Sequence, residues 1–232
     1  MNRRDALRHS VFAAGALTAW AAEAQDNCAV LTPAAQSAVT PDQAIERLKQ
    51  GNERFTSGRT INCDLMQQVK STSGHQSPVA AIVGCIDSRV PPELVFDQRI
   101  GDIFAARIAG NFVNDDIIGS MEFATELAGA KAIVVLGHTE CGAIKGAVDN
   151  AKLGQLTGLL AKIRPSLDKL DYKEVPSSKN KALVQRVAEQ NVKDATDMLL
   201  ARSTVLTDRV KAGKLRIVGA MHDIGTGKIT WL

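Results

Sequence analysis

Two unbroken apolar runs set the frame of this chain, Val79 to Gly84 and Ala132 to Gly137, built from Val, Ala and Ile, with one Leu in the second, and each closed by glycine. Runs this short without alternation predict strands covered on both faces, as in a parallel sheet. Ile103 to Ala109 predicts another strand. Leu215 to Met221 predicts a fourth, followed by a turn at Gly225-Thr226-Gly227 and a returning strand at Ile229 to Leu232. Helical patterns lie between them. Thr40-Pro41-Asp42-Gln43 has a capping Thr, a Pro at the first position and a Gln that completes a capping box, and Ile45, Leu48 and Phe55 follow at roughly helical spacing. Asn114-Asp115-Asp116 predicts the start of a helix reaching Gly129, its acids placed where the helix dipole favours them. Residues 153–170 and 180–211 read as helices joined by a Pro/Ser-rich loop at 172–178. Polar residues 57–78 read as loop, and 25–39 as an extended leader. The order predicts one α/β domain over 40–232, with a mainly parallel central sheet flanked by helices and an N-terminal helical arm.

Chemistry collects where the two apolar runs end. Cys85-Ile86-Asp87-Ser88-Arg89 follows the first, and His138-Thr139-Glu140-Cys141 follows the second. Sites in open α/β sheets form beyond the carboxyl ends of the strands, so the two motifs converge although 53 residues separate Cys85 from His138. Two thiolates and an imidazole make a zinc ligand set. Asp87 adds a fourth, replaceable oxygen, which points to a catalytic zinc over a closed structural one. Inert core cysteines are the plain alternative for each residue taken singly. A Cys-based phosphatase fails because no Arg stands six residues after Cys85, and no CxxC redox pair is present. Gly225-Thr226-Gly227-Lys228 lacks the spacing of a phosphate loop.

Composition narrows the class. At 232 residues, 45% hydrophobic and 23% charged, the chain has the make-up of one soluble domain. The N-terminus differs: Arg3-Arg4 precede an apolar stretch from Val11 to Ala22, and Ala22-Glu23-Ala24 supplies small residues for a signal peptidase. Residues 1–24 thus read as a twin-arginine signal peptide, too short in its apolar part to span a bilayer permanently, and periplasmic localisation follows. Three of the 28 basic residues and two of the 25 acids lie in those 24, leaving +2 on the remainder. That balance, with nine aromatic residues in all and no basic stripe, gives no case for nucleic acid, and no membrane segment remains after cleavage. Cys28 and Cys63 stand in polar surroundings outside the motifs; in an exported protein they either form a disulfide or remain two free thiols.

From about Ala44 to Thr230 the residues resemble the β-class carbonic anhydrases. The likeness rests on Gly51-Asn52-Glu53-Arg54-Phe55, the Cys85–Val90 stretch, Arg107-Ile108-Ala109-Gly110-Asn111, the Gly137–Gly142 stretch and the final hairpin. The resemblance implies zinc held by Cys85, His138 and Cys141, with Asp87 either taking the fourth position or pairing with Arg89. It implies that Gln76 and the Gly142 N–H face the substrate. Phe104, Ala109 and Phe123 would line an apolar pocket from the neighbouring subunit, in a homodimer or larger homo-oligomer whose N-terminal helix embraces the partner. His222 departs from the Tyr many relatives carry there. The implied reaction is reversible hydration of carbon dioxide to bicarbonate and a proton by a zinc-bound hydroxide, with Asp87 accepting its hydrogen and activity rising into the alkaline range, because two thiolates donate charge to the metal. Carbonyl sulfide or carbon disulfide as substrate, and a silent zinc scaffold, are the competing readings.

Overall fold

The computed structural model describes residues 28–232; the predicted signal peptide and the first residues of the leader, 25–27, lie outside them. Five strands form one sheet: β1 (Ala80–Gly84), β2 (Ile103–Arg107), β3 (Ala132–His138), β4 (Arg216–His222) and β5 (Ile229–Trp231), in the spatial order β2-β1-β3-β4-β5. β1 to β4 are parallel, and β5 returns antiparallel on β4 through the predicted glycine turn. All residues of β1 and β3 are buried, as continuous apolar runs require.

Helices cover both faces. On one side lies α2 (Pro41–Thr56), whose Ala44, Ile45 and Leu48 pack with Ile82, Val134, Leu136 and Ala220. Its predicted capping box is formed, Thr40 Oγ1 accepting from Gln43 N and Gln43 Oε1 accepting from Thr40 N. Gly51 lets this helix approach the next segment closely, since a Cβ there would lie 1.8 Å from the Phe96 carbonyl oxygen. The opposite face is covered by α5 (Asp115–Glu122), α6 (Gly142–Val148), α7 (Gly154–Asp168) and α8 (Lys181–Arg202), packed on Val83, Ile133 and Val135. Among the described residues no helix is long and apolar enough to cross a membrane.

Four expectations are corrected. The leader is not extended throughout: α1 (Pro33–Ala38) begins at a second Thr-Pro cap, Thr32-Pro33, and its Gln36 amide donates to the carbonyls of Pro78 and Ala128, both at 2.7 Å. The loop 57–78 contains α3 (Leu65–Thr72), capped by Asp64; its apolar Leu65, Met66 and Val69 are exposed and Gln68 is its one buried residue, so it adds nothing to the apolar core. The helix from Asp115 does not run to Gly129 as one α-helix but passes into a π-helical turn over Phe123–Leu127, where Thr125 Oγ1 donates to the Met121 carbonyl at 2.9 Å. The pattern at 180–211 is two helices, α8 and α9 (Thr204–Lys211), because Ser203 leaves helical geometry (φ −124°), caps α9 through Leu206 N and donates to Glu122 at 2.6 Å. A single turn, α4 (Pro92–Val95), completes the set.

Cys28 and Cys63 are joined in a disulfide, with Cα atoms 5.6 Å apart and a separation of 35 positions along the chain. It ties the leader to the segment before α3. A crosslink closing a loop of that length removes conformational freedom from the unfolded chain and contributes about 3–4 kcal/mol.

Candidate metal centre

The register of the parallel pair β1–β3 sets Gly84 beside Leu136. Cys85, one residue past β1, and His138, the last residue of β3, therefore emerge at the same sheet edge. Glu140 takes a left-handed conformation (φ 58°) and turns the chain into Cys141, which caps α6. The two sulfurs lie 4.0 Å apart, and the ligand atoms of Cys85, His138 and Cys141 all fall within 4.8 Å of one another. All three side chains are buried.

His138 Nδ1 lies 2.9 Å from the Thr139 carbonyl, which only accepts, so this nitrogen carries the hydrogen. Its Nε2 is buried, has no hydrogen-bond partner and presents a lone pair to the two sulfurs. The thiols constrain each other. Cys141's hydrogen bond pulls the Cys85 thiol down most, against the effect of burial, with His138, the Gly110 N–H and the Asp87 N–H adding to it. Cys141 is driven up by the same contact with Cys85, by burial and by the charge on Cys85. Two thiolates this close, in a buried place, are compatible only if a cation lies between them. An orphaned imidazole lone pair and two sulfurs that need a cation fit zinc.

Asp87 stands at the rim. Arg89 donates to both carboxylate oxygens, Nε to Oδ1 at 2.9 Å and Nη2 to Oδ2 at 2.7 Å, and its backbone N–H donates to Oδ1 at 3.0 Å. This bidentate pair holds the Asp87 carboxyl far below the usual carboxylate range. Asp87 Oδ2 is 3.9 Å from His138 Nε2. Of the two placements expected for Asp87, the structure shows the Arg89 pair, both carboxylate oxygens being engaged by the guanidinium.

Sequence reasoning missed Arg107 as a site residue. From the end of β2 its Nε donates to the Cys85 carbonyl at 2.8 Å and its Nη2 to the Asp87 carbonyl at 2.6 Å. One side chain thus fixes the backbone on both sides of Ile86. The available signal was an Arg ending a strand at the same sheet edge. His222 pairs in register with His138 and is buried; burial first, then the neighbouring His138, hold it below its ordinary pKa.

The expected substrate residues divide. Gly142 opens α6 directly after Cys141 and is exposed. Ala109 is partly buried just before Gly110, whose N–H donates to Cys85 Sγ at 3.3 Å. Gln76 is exposed in the segment between α3 and β1. Phe104 and Phe123 meet edge to face at 6.1 Å. They line an open cavity of about 750 Å³ with Ala105, Ala106 and Met121, and none of the three metal ligands forms its wall. Within one chain they are a separate group.

These features define a zinc-binding α/β protein with a Cys₂His centre on its strand ends. Comparison with known proteins gives the family. The family model described as carbonic anhydrase matches residues 80–229. Carbonic anhydrase 2 of Mycobacterium tuberculosis is 35% identical over 196 residues, spanning 81% of this chain and 91% of its own. The carbonic anhydrase of Mycolicibacterium smegmatis is 33% identical, over 82% and 92%. Among solved structures, the Coccomyxa β-carbonic anhydrase in complex with acetazolamide superposes with a TM-score of 0.64 at 25% identity, covering 81% of this chain and 86% of that one. The β-carbonic anhydrase CafA of Aspergillus fumigatus gives 0.63 at 26% identity, over 82% and 89%. The chain belongs to the β-carbonic anhydrases, zinc enzymes that catalyse the reversible hydration of carbon dioxide.

Removing one ligand leaves two, too few to hold the ion. Cys85→Ser, His138→Ala and Cys141→Ser should each lower bound zinc from one per chain to a small fraction, measured by mass spectrometry of the dialysed proteins. Full zinc occupancy in any of the three would overturn the assignment.

Proposed function

We propose that Asp87 and Arg89 are the catalytic pair of this carbonic anhydrase and that Cys85, His138 and Cys141 hold its zinc. The observation that carries this is the bidentate Arg89–Asp87 contact beside the ligand cluster, with Asp87 Oδ2 3.9 Å from His138 Nε2. Bound zinc would supply Lewis acidity that makes water nucleophilic, at a higher pH here than in an all-imidazole site because two thiolates donate charge to the metal. Asp87 does the orienting. Kept ionised by Arg89, it is purely an acceptor, so it would accept a hydrogen bond from the attacking oxygen and orient that oxygen's lone pair toward the carbon of carbon dioxide. Arg89 also keeps the carboxylate out of the ligand set. Arg107 fixes the Cys85 and Asp87 carbonyls and with them the spacing between ligand and acceptor. Gln76, Ala109 and the Gly142 N–H take the substrate-facing roles that the family resemblance implies. Asp87→Asn keeps the shape and removes the anion: it should retain one zinc per chain while kcat for hydration falls by about 100- to 10,000-fold. Unchanged kcat would remove Asp87 from the mechanism.

The working form we infer is at least a dimer, paired at the β2 edge. β2 is only half covered, its Ala105 and Arg107 exposed. Phe123 is 49% and Leu127 76% exposed beside it. A second copy would cover these apolar groups and bring Phe104 and Phe123 to its own site. A Sordaria macrospora chain 25% identical to this one comes from structures described as those of two tetrameric β-carbonic anhydrases. Phe123→Glu would bury a charge in such an interface. Light scattering should report a smaller particle with lower kcat/KM, and an unchanged mass would sink this interface.

Export is the third element. Arg3-Arg4, the apolar stretch after them and Ala22-Glu23-Ala24 support a twin-arginine route to the periplasm, and the Cys28–Cys63 disulfide suits an oxidising compartment. Replacing Arg3 and Arg4 with Lys should hold the protein in the cytoplasm with both thiols open to alkylation, less stable to urea by about 3–4 kcal/mol. Continued export of this variant, or a formed disulfide in the retained protein, would contradict the route.

A further inference from the structure

We infer that Asn191, on α8, is a positioning residue for the metal centre, acting through Gly110 on the ligand sulfur of Cys85. Its amide Nδ2 donates to the Gly110 carbonyl at 2.8 Å across 81 residues of sequence, and Asn191 is 3% exposed. Gly110 in turn donates its N–H to Cys85 Sγ at 3.3 Å. The two bonds lie on successive peptide units joined at a single Cα, so what holds the carbonyl also aims the N–H.

The Gly110–Asn111 peptide is held from both sides, its N–H donating to the Ile108 carbonyl at 2.9 Å and its carbonyl accepting from Asn191. The Gly110 φ of +76° is one that glycine adopts without strain. A Cβ there would come within 2.5 Å of Ile163 Cδ1 and 3.2 Å of Ala143 Cβ. The glycine is therefore pressed between α6 and α7, and its backbone polar groups are what fix its orientation. A carbonyl in such a place needs a donor, and Asn191 supplies it. Were it there only to satisfy that carbonyl, its loss would weaken the fold and leave the metal site as it was. The geometry predicts more. An N–H pointed at a thiolate withdraws charge from the sulfur and restricts its position, as outer hydrogen bonds do for metal ligands generally.

This inference rests on the reading of Cys85 as a zinc ligand, and the test separates the two. Asn191→Leu removes the donor. Asn191→Asp keeps the shape but offers an acceptor to an acceptor. Leu199→Ala, in the fully buried core of the same helix, serves as a control that destabilises α8 without touching Gly110. Both Asn191 variants should bind zinc about 10- to 100-fold more weakly in competition with a chromophoric chelator. After cobalt substitution their sulfur-to-metal charge-transfer band should move to longer wavelength. Leu199→Ala should show neither change. Zinc affinity and cobalt spectrum unchanged in a folded Asn191 variant would overturn the inference. In the unaltered protein loaded with cadmium-113, the Gly110 amide proton should show a scalar coupling to the metal through the sulfur. Absence of that coupling, with metal bound at one per chain, would overturn it even if neither variant folds. If the unaltered protein binds no metal, the ligand assignment fails and takes this inference with it.

Discussion

Two sulfurs 4.0 Å apart at a buried sheet edge are the constraint on which this molecule turns. Two like charges at that distance in a poorly solvated place repel strongly, and each thiol's ionisation opposes the other's. A shared cation removes the conflict. The structure around the pair is what such a cation needs: an imidazole whose Nδ1 is committed to the Thr139 carbonyl and whose Nε2 is left open, and an N–H from Gly110 on one sulfur. None of these contacts would be worth making for two inert core cysteines. The apolar sheet delivers the residues, and the electrostatics of the pair decides what they are for.

The sheet delivers them accurately because β1 and β3 are its two most buried strands. With helices on both faces, a slip in register would displace every apolar side chain of either strand from its place in the layers. The position of Cys85 relative to His138 is therefore fixed by the packing of Ile82, Val83, Val134 and Val135, none of which touches metal. Arg107 extends this control past the strand end. By gripping two carbonyls it makes the Cys85–Asp87 turn part of the rigid edge, and a ligand and an acceptor that sit on a loop gain the precision of a strand.

The parts legible in the sequence were those where one physical signal dominates. Continuous apolar runs gave β1 and β3, the capping box at Thr40 gave α2, and the residues after each run gave the ligands. What escaped was decided by tertiary contacts. α3 buries only Gln68 and leaves Leu65, Met66 and Val69 exposed, so it is short, polar in its surroundings and outside the core that patterned the rest. The break at Ser203 falls inside a good helical pattern, and it is fixed by a bond to Glu122, which is 81 residues away. Arg107 and Asn191 act through backbone atoms of residues distant in the chain, and a backbone carbonyl has no sequence letter. Cys28 and Cys63 were visible as a leftover pair, but their joining depended on the path of the leader, which the polar composition hid.

The four cysteines show how the same atom is put to opposite uses by its surroundings. Cys28 and Cys63 lie at the surface, with no imidazole between them and nothing to hold them apart, and their oxidation stiffens a leader that has little core of its own. Cys85 and Cys141 are each held on a separate element, one by the end of β1 and one by the start of α6, with His138 aimed at the space between the sulfurs. A disulfide there would draw the two elements together, and the pair would lose the charge that makes it a ligand set. The backbone grip of Arg107 on Cys85 and the left-handed turn at Glu140 ahead of Cys141 both resist that collapse. The rigidity that makes the site a good ligand set is thus the same rigidity that keeps its thiols from becoming a second crosslink.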